Sequence, residues 1–188
     1  NWYRSQVAYP RINTVAIPNF TDIPPKIEKP DDKINIIFAR RFVEFRGTRV
    51  FALAIKPLLE KFNNINVTIA GEGPDEQWLK DELGSCECVN FTKYSSSEAI
   101  QTHSDKHIAV IPTTGSEGTS LSLLEAMASH CAVVCTDVGG MTNIVVDDYN
   151  GKIIKAGCIE QLTSILEKLI ESSEMRNRLA DKAYETVK

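Results

Sequence analysis

Short apolar runs alternate along this chain with longer segments in which apolar residues recur every three or four positions. The short runs are rich in Val, Ile and Phe, which favours strands. Several are apolar throughout, as expected of strands that are covered on both faces. The predicted strands are Thr14–Ile17, Ile34–Ala39, Asn66–Ala70, Cys88–Phe91, His107–Ile111 and Ala132–Cys135.

The segments between these runs have the period of amphipathic helices. Residues 50–62 carry one continuous apolar stripe, and Pro57 within it predicts a kink or an early end. Ser95 to Glu98 has the pattern of a capping box, which opens a helix. The other predicted helices start at Gly73–Glu76, at Leu121, at Ile159 and at Ser173.

Strands and helices that alternate in this way predict a parallel sheet with right-handed crossovers. We therefore expect a Rossmann-like, three-layer α/β/α domain with a parallel sheet of about six strands, formed by residues 1–188 as a single domain. In such sheets ligands bind beyond the carboxyl ends of the strands. The segments that follow Ala39, Ala70, Phe91, Ile111 and Cys135 are therefore the places to look for a site.

The composition is that of an ordinary soluble globular domain, with 43% hydrophobic and 24% charged residues among 188. No apolar run approaches the ~18 residues of a membrane-spanning helix. A net charge of -4 argues against a general nucleic-acid binder but permits a small anion held by a few arginines. The five cysteines are scattered, which favours a reducing, cytoplasmic setting over a disulfide framework. The chain starts at Asn1 and stops inside a helical pattern, so we expect it to be part of a longer protein.

Three arginines follow the strand that ends at Ala39, namely Arg40, Arg41 and Arg46. Guanidinium groups bind phosphate through two hydrogen bonds at once and stay charged at any working pH. At a strand's carboxyl end they suit a diphosphate. The alternative is that they are ordinary surface charges.

A loop rich in Gly, Ser and Thr follows Ile111 and runs into the helix that starts at Leu121. Such a turn presents free N–H groups and the positive end of the helix dipole, which is an anion site. Glu117 precedes that helix and Glu125 lies near 12 Å further along it if the interval is helical. They are too far apart for one metal ion but could contact one long ligand. Alternatively, Glu117 is a helix-start acid and Glu125 a solvated one.

Other motifs give weaker signals. Residues 70–74 resemble a dinucleotide fingerprint, but Glu76 stands where its third glycine belongs, which disfavours NAD. Cys86 and Cys88 lack a second pair at zinc spacing. His130 follows a predicted helix where glycine is usual, so a left-handed helix-end conformation is expected for it.

Six motifs together resemble the retaining glycosyltransferases, group 1 (family four). Residues 117–128 are similar to the E-x7-E motif of that family, and residues 41–47 to its R-x4-K-G motif. The remaining matches are Ala16–Asn19 to V-I-P-N, Ile69–Pro74 to I-x-G-x-G-P, Asp137–Gly140 to D-x-G-G, and Asn150-Gly151 to a later N-G. The resemblance implies a GT-B fold of two Rossmann-like domains, of which this chain is the C-terminal, nucleotide-sugar-binding one.

The resemblance also implies roles for individual residues. Arg41 and Arg46 would bind the donor diphosphate and stabilise the leaving nucleotide, and Glu117 would contact the sugar hydroxyls. These three are the expected catalytic residues. The expected substrate-binding residues are Gly118, Thr119, Ser120 and Leu121 at the phosphate or sugar, Glu125 at the ribose, and Lys93 and Tyr94 near the base.

This sequence departs from the family pattern at several positions. Arg46 stands where lysine is usual, and Arg40 where glycine is common. His130 and Ala132 replace the usual glycine and proline, and Asn143 stands where a glutamate often lies.

The resemblance implies a nucleoside diphosphate sugar as donor, with no cofactor and no metal ion. Its implied partners are an N-terminal domain and a carbohydrate or lipid-linked acceptor, with no nucleic acid and no transmembrane segment. The implied location is cytoplasmic, with any membrane association made through the N-terminal domain, and the implied setting is the synthesis of surface polysaccharide or glycoconjugate. A non-catalytic nucleotide-binding module and an NAD oxidoreductase are the competing interpretations.

Overall fold

The computed structural model describes residues 19–30 and 32–188, and its centre is a six-stranded, all-parallel sheet. The strands are β1 (Ile34–Ala39), β2 (Ile65–Ala70), β3 (Val89–Thr92), β4 (Ile108–Ile111), β5 (Ala132–Thr136) and β6 (Lys152–Ile154).

The strand order across the sheet is β3-β2-β1-β4-β5-β6. From β1 the chain builds outward to β3, then returns to the centre at β4 and builds outward in the other direction. The carboxyl ends of β1 and β4 therefore flank the point at which the order reverses, where such sheets bind ligands. The Rossmann-like prediction is confirmed.

Helices cover both faces of the sheet, which gives the predicted three layers. They are α1 (Thr48–Lys61), α2 (Glu76–Leu83), α3 (Ala99–Ser104), α4 (Leu121–Ala128), α5 (Ile159–Glu171) and α6 (Ser173–Val187). Short 3-10 helices lie at Glu44–Arg46, Ser96–Glu98 and Gly139–Asn143.

The core has two parts because alternate side chains of each strand point to opposite faces. In β1, Ile36 and Phe38 lie in the cluster beneath α1, α2 and α5, whereas Ile37 and Ala39 lie in the cluster beneath α4. Both pairs are almost fully buried. This double burial explains why the strand sequence is apolar except at Asn35.

The predicted strand Thr14–Ile17, with the start of the motif at residues 16–18, lies outside the described residues. Strand β6 was not predicted, because it has only three residues at the edge of the sheet. The capping box at Ser95–Glu98 is confirmed, as is the left-handed conformation of His130, with φ 54°.

The expected early break at Pro57 is wrong, because α1 continues through it to Lys61, whereas the expected kink stays a prediction. Proline removes the N–H that would donate to the carbonyl of Leu53. Both residues lie on the exposed face of the helix, where water can hydrogen-bond to that carbonyl. The buried face, with Phe51, Ile55 and Leu58, keeps its packing.

In the described part of the chain, no helix combines the length and the hydropathy needed to cross a bilayer.

Candidate functional site

Two loops meet at the carboxyl ends of β1 and β4. The first, residues 40–47, carries the arginines, and the second, residues 112–120, leads into α4. The carbonyl of Phe45 accepts hydrogen bonds from the N–H groups of Thr114 and Gly115, at 2.9 and 3.1 Å. The backbone of the arginine loop is thereby fixed to that of the second loop.

Two glycines allow this close approach. Gly47 has φ 79°, and a Cβ there would lie 1.8 Å from the carbonyl oxygen of Pro112. Gly139 has φ 58°, and a Cβ there would lie 1.9 Å from the carbonyl oxygen of Glu117. No side chain fits at either distance, and both φ values favour glycine. The R-x4-K-G and D-x-G-G motifs therefore hold the residue 112–120 loop from two sides.

The carboxylate of Glu117 is the centre of the site. Arg40 Nη2 and Arg46 Nη1 both donate to its Oε2 atom and form ion pairs with it. The Thr113 hydroxyl donates to the same oxygen at 3.1 Å. Thr113 is held in turn by Thr136, whose hydroxyl donates to the Thr113 carbonyl at 2.6 Å. Residues that follow β1 and β4 thus converge on one oxygen, and Thr136 at the end of the adjacent β5 supports one of them.

The environment of Glu117 favours its charged form. Its side chain is only 8% exposed, and this burial acts to raise its pKa. The charges and hydrogen bonds of Arg40 and Arg46 outweigh burial, so the pKa of Glu117 lies below its ordinary value. The carboxylate is therefore ionised at neutral pH and can accept hydrogen bonds from a ligand.

Open hydrogen-bonding groups lie around this carboxylate. Its second oxygen, Oε1, receives no hydrogen bond from the described residues. Nor do the N–H groups of Gly118, Thr119 and Ser120 find an acceptor among them. Ser120 is the N-cap of α4, and its hydroxyl accepts from the N–H of Leu123 at 3.4 Å. Free N–H groups at the positive end of a helix form an anion site.

Glu125 lies further along α4, and burial raises its pKa. Tyr94 is half-buried near the same helix, and its pKa is raised first by burial and then by the charge of Glu125. Beside them is a cavity of about 360 Å³. It is lined by Glu125, Leu121, Ser96, Ser97, Ala99, Ile100 and residues 20–24.

The structure brings Arg46, Glu117 and residues 118–121 together, whereas the other predicted residues lie apart from this group: Glu125 further along α4 with Tyr94 near it, and Arg41 and Lys93 at the surface. Arg41 is exposed and has no hydrogen bond or ion pair through its side chain to the described residues. Lys93 is also exposed and pairs with Glu72 at 2.9 Å. Both side chains are accessible, so they are available to a ligand but are not pre-positioned by the fold.

Sequence reasoning missed two residues of this site, Arg40 as a partner of Glu117 and Thr113. Arg40 is buried, and its Nη1 atom also donates to the Ser120 hydroxyl at 3.3 Å. A signal for Arg40 was present, since an arginine stands where the family commonly has glycine. Thr113 gave no signal, because threonine is an ordinary residue of a loop.

The arrangement joins two arginines, Arg40 and Arg46, with one ionised carboxylate and a helix N-terminus at the carboxyl edge of the sheet, and Arg41 lies exposed nearby in sequence. Guanidinium and N–H groups bind phosphate oxygens, and the carboxylate binds hydroxyl groups. A ligand that carries both phosphate and hydroxyl groups fits this set.

The family model described as "Glycosyl transferases group 1" matches residues 19–186. A phosphatidyl-myo-inositol mannosyltransferase of Mycolicibacterium smegmatis is 24% identical over 184 residues, covering 93% of this chain and 46% of the relative. The protein of the same name from Mycobacterium leprae is 26% identical over 180 residues, which cover 94% of this chain and 48% of the relative. The chain thus spans about half the length of these curated relatives.

Among solved structures, the C-terminal domain of a glycosyl transferase group 1 family protein (LpcC) from Francisella tularensis is similar, with a TM-score of 0.74 and 29% identity. The match covers 85% of this chain and 86% of that one. HepE of Anabaena, in complex with UDP-glucose, has a TM-score of 0.72 at 19% identity, over 83% of this chain and 44% of that one. At that identity the likeness concerns the fold alone.

Proposed function

This chain belongs to the group 1 glycosyl transferases, and we propose that it is the donor-binding half of a retaining glycosyltransferase. It binds a nucleoside diphosphate sugar, whose sugar passes to an acceptor with its anomeric configuration kept. An N-terminal half holds that acceptor, a carbohydrate or a lipid-linked saccharide. The length of the curated relatives, about twice that of this chain, supports a second half.

The proposal rests on one observation: Arg46, Glu117 and the amino end of α4 meet beyond the carboxyl ends of β1 and β4, where the strand order of the sheet reverses. A diphosphate placed there is within reach of a guanidinium group and of the free N–H groups of residues 118–120. A sugar attached to it lies beside the open Oε1 atom of Glu117.

The chemistry follows from these charges. When the bond between sugar and diphosphate breaks, negative charge develops on the leaving diphosphate and positive charge on the sugar. Arg41, Arg46 and the helix N-terminus stabilise the first, because fixed cations and dipoles act strongly where charge develops. Glu117 stabilises and orients the sugar through its hydroxyls. These groups stabilise the leaving diphosphate without a nucleophile from the protein.

The nucleoside binds toward the carboxyl end of α4. Glu125 accepts hydrogen bonds from the ribose hydroxyls, and Tyr94 packs beside it. The cavity of about 360 Å³ that Glu125 lines has room for part of a nucleoside. Lys93 and the backbone around it lie near the base.

The donor diphosphate is neutralised by arginines rather than by a metal ion, and no cofactor takes part. The setting we propose is the cytoplasm, in the synthesis of a surface polysaccharide or glycoconjugate. The mannosyltransferase relatives are named for phosphatidyl-myo-inositol, a lipid, which supports a lipid-linked acceptor.

The proposal is tested by calorimetric titration of this chain with UDP, GDP and ADP, with their glucose or mannose conjugates, and with NAD. One diphosphate and its sugar conjugate are expected to bind, and NAD is not. Preference for NAD, or no binding by any diphosphate, would contradict the proposal. A longer protein that contains the N-terminal half and binds the donor but never transfers sugar would instead be a non-catalytic module.

A further inference from the structure

Glu117 has two guanidinium partners with very different surroundings. The side chain of Arg40 is 5% exposed, whereas that of Arg46 is 27% exposed. Both donate to Oε2, the same oxygen of the carboxylate. Arg40 lies directly after β1, and Arg46 ends a short 3-10 helix at the surface. One partner is thus enclosed by the fold, and the other faces the solvent from which a ligand arrives.

The proposed function places two demands on Arg46. In the free protein it is paired with Glu117, and in the complex it contacts the donor diphosphate. A diphosphate carries more negative charge than one carboxylate, so it competes for this guanidinium group. A carboxylate as enclosed as Glu117 is costly to leave without a cation, and its pKa would rise. It would then be a weaker charged acceptor for the ligand.

Arg40 can stay paired with Glu117 when Arg46 moves to the ligand, because its buried guanidinium group is held in place. Its Nη1 atom donates to the Ser120 hydroxyl at 3.3 Å while Nη2 pairs with Glu117. The guanidinium group is therefore held by two partners from one loop. The Ser120 hydroxyl also caps the first turn of α4. One buried side chain thus orients both the carboxylate and the helix N-terminus.

We propose that Arg40 is a positioning residue, the permanent counterion that keeps Glu117 ionised and in place while Arg46 exchanges from Glu117 to the donor diphosphate. This inference rests on the proposed function for the exchange step alone. Arg40 itself does not touch the donor. Its role explains how this chain tolerates an arginine at a position where its family commonly has glycine: the side chain turns inward to an acid instead of toward the ligand.

The charged side chains that face Glu117 from the described part of the chain are Arg40 and Arg46. Burial of Glu117 works against them. Thr113 contributes a hydrogen bond but no charge. The ionisation of Glu117 therefore reports directly on which of the two arginines holds it.

The test follows the Glu117 carboxyl carbon by NMR during a pH titration of the chain, so it needs no ligand in its first arm. Arg46→Gln imitates the departure of Arg46, and the Glu117 midpoint is expected to stay below the usual glutamate range, ~4.3. Arg40→Gln should raise the midpoint by about one pH unit more than Arg46→Gln does. Arg40→Lys should restore most of the difference, which a purely structural role for this side chain would not do.

A second arm repeats the titration with saturating UDP as the probe. In the wild-type chain Glu117 should remain ionised, and in Arg40→Gln its midpoint should rise further, by about one pH unit. If Glu117 in Arg46→Gln titrates at or above the usual glutamate value, the role of Arg40 is refuted, even if Arg40→Gln fails to fold. Failure of UDP to bind would count against the proposed function and leaves the first arm to decide the role of Arg40.

Discussion

Arg40 and Glu117 are 77 residues apart in the sequence and form an ion pair whose side chains are 5% and 8% exposed. They meet because β1 and β4 are parallel neighbours whose carboxyl ends lie side by side. The pair has an electrostatic consequence for the site. Without Arg40, the charge of Glu117 would cancel that of Arg46 and repel a diphosphate. With Arg40 beside it, Glu117 is neutralised locally, and Arg41 and Arg46 leave the site positive.

The two glutamates should differ in the ligands that they affect. Glu125→Gln should weaken a nucleoside diphosphate and its sugar conjugate equally, by roughly 1–3 kcal/mol, because both carry the ribose. Glu117→Gln should weaken the sugar conjugate more, because the sugar is present only there. Calorimetry with UDP and UDP-glucose on both variants measures the difference. Equal losses for both ligands in Glu117→Gln would mean that this carboxylate does not contact the sugar.

Arginine charge, rather than a metal ion, should determine diphosphate binding. UDP affinity is expected to be the same in EDTA and in Mg²⁺, and to fall as salt is raised, because screening weakens an exposed guanidinium more than a buried one. Arg46→Gln should cost roughly 1.5–3 kcal/mol of binding. Arg49→Gln, which removes a more exposed charge on α1 that pairs with Asp75, is the control and should change little. Binding lost in EDTA and restored by Mg²⁺ would overturn this expectation.

Gly139→Ala should damage the site through a steric clash. Its new Cβ would lie 1.9 Å from the Glu117 carbonyl oxygen, so the loop that carries Glu117 must move. Gly157→Ala is the matched control: it has a similar φ of 77°, but nothing lies within 4 Å of its Cβ. The control should lose about 1 kcal/mol of unfolding free energy, from the strain of a left-handed residue. Gly139→Ala should lose clearly more in urea unfolding and should also lose UDP affinity.

Lys29 should contribute to stability well beyond an ordinary surface lysine. Its Nζ atom donates to the carbonyls of Ser129 and His130, at 3.0 and 2.6 Å, and to that of Lys106. Lys29→Met leaves these carbonyls without their charged donor and should cost roughly 2–3 kcal/mol of unfolding free energy. Lys26→Met is the control, since it breaks only an exposed pair with Asp181 and should cost less than about 1 kcal/mol. Similar losses in both variants would contradict this assignment.

His103 should make the fold less stable in mild acid. Burial lowers the pKa of His103 to about 4, although Nδ1 lies 2.7 Å from the Ala99 carbonyl oxygen. An unfolded histidine titrates near ~6.5, so as pH falls from there toward the folded value, the unfolded chain takes up the proton first. Each pH unit in this window removes up to about 1.4 kcal/mol of unfolding free energy.

Urea unfolding at pH 7 and pH 5.5 measures this effect. The wild-type chain should lose about 1 kcal/mol more between the two pH values than His103→Gln does. Comparing the loss between the two pH values in each protein cancels any pH-independent change that the substitution makes to stability. Identical losses in both proteins would show that His103 is protonated as easily in the folded chain as in the unfolded one.

Much of the fold could be predicted from the sequence because its signals are local. The buried strands β1 and β2 are mostly apolar, and the capping box at Ser95–Glu98 is complete within four residues. Strand β6 could not be predicted, because three residues at a sheet edge give too short a pattern. The expected early break at Pro57 was wrong because the effect of a proline depends on whether the freed carbonyl faces water, and the sequence of α1 does not show this.

For the site, the sequence by itself determined which loops matter and which residue types they carry: arginines after β1, and a glycine-rich turn with Glu117 before α4. Only the tertiary structure decided which of these side chains contact one another. It placed Arg40 and Thr113 on the same oxygen of Glu117 and left Arg41 exposed. The physical reason is that a side chain's charge and a loop's turn residues are local properties. Which groups meet depends on the register of neighbouring strands and on backbone contacts such as that between Gly139 and Glu117, which join distant parts of the chain.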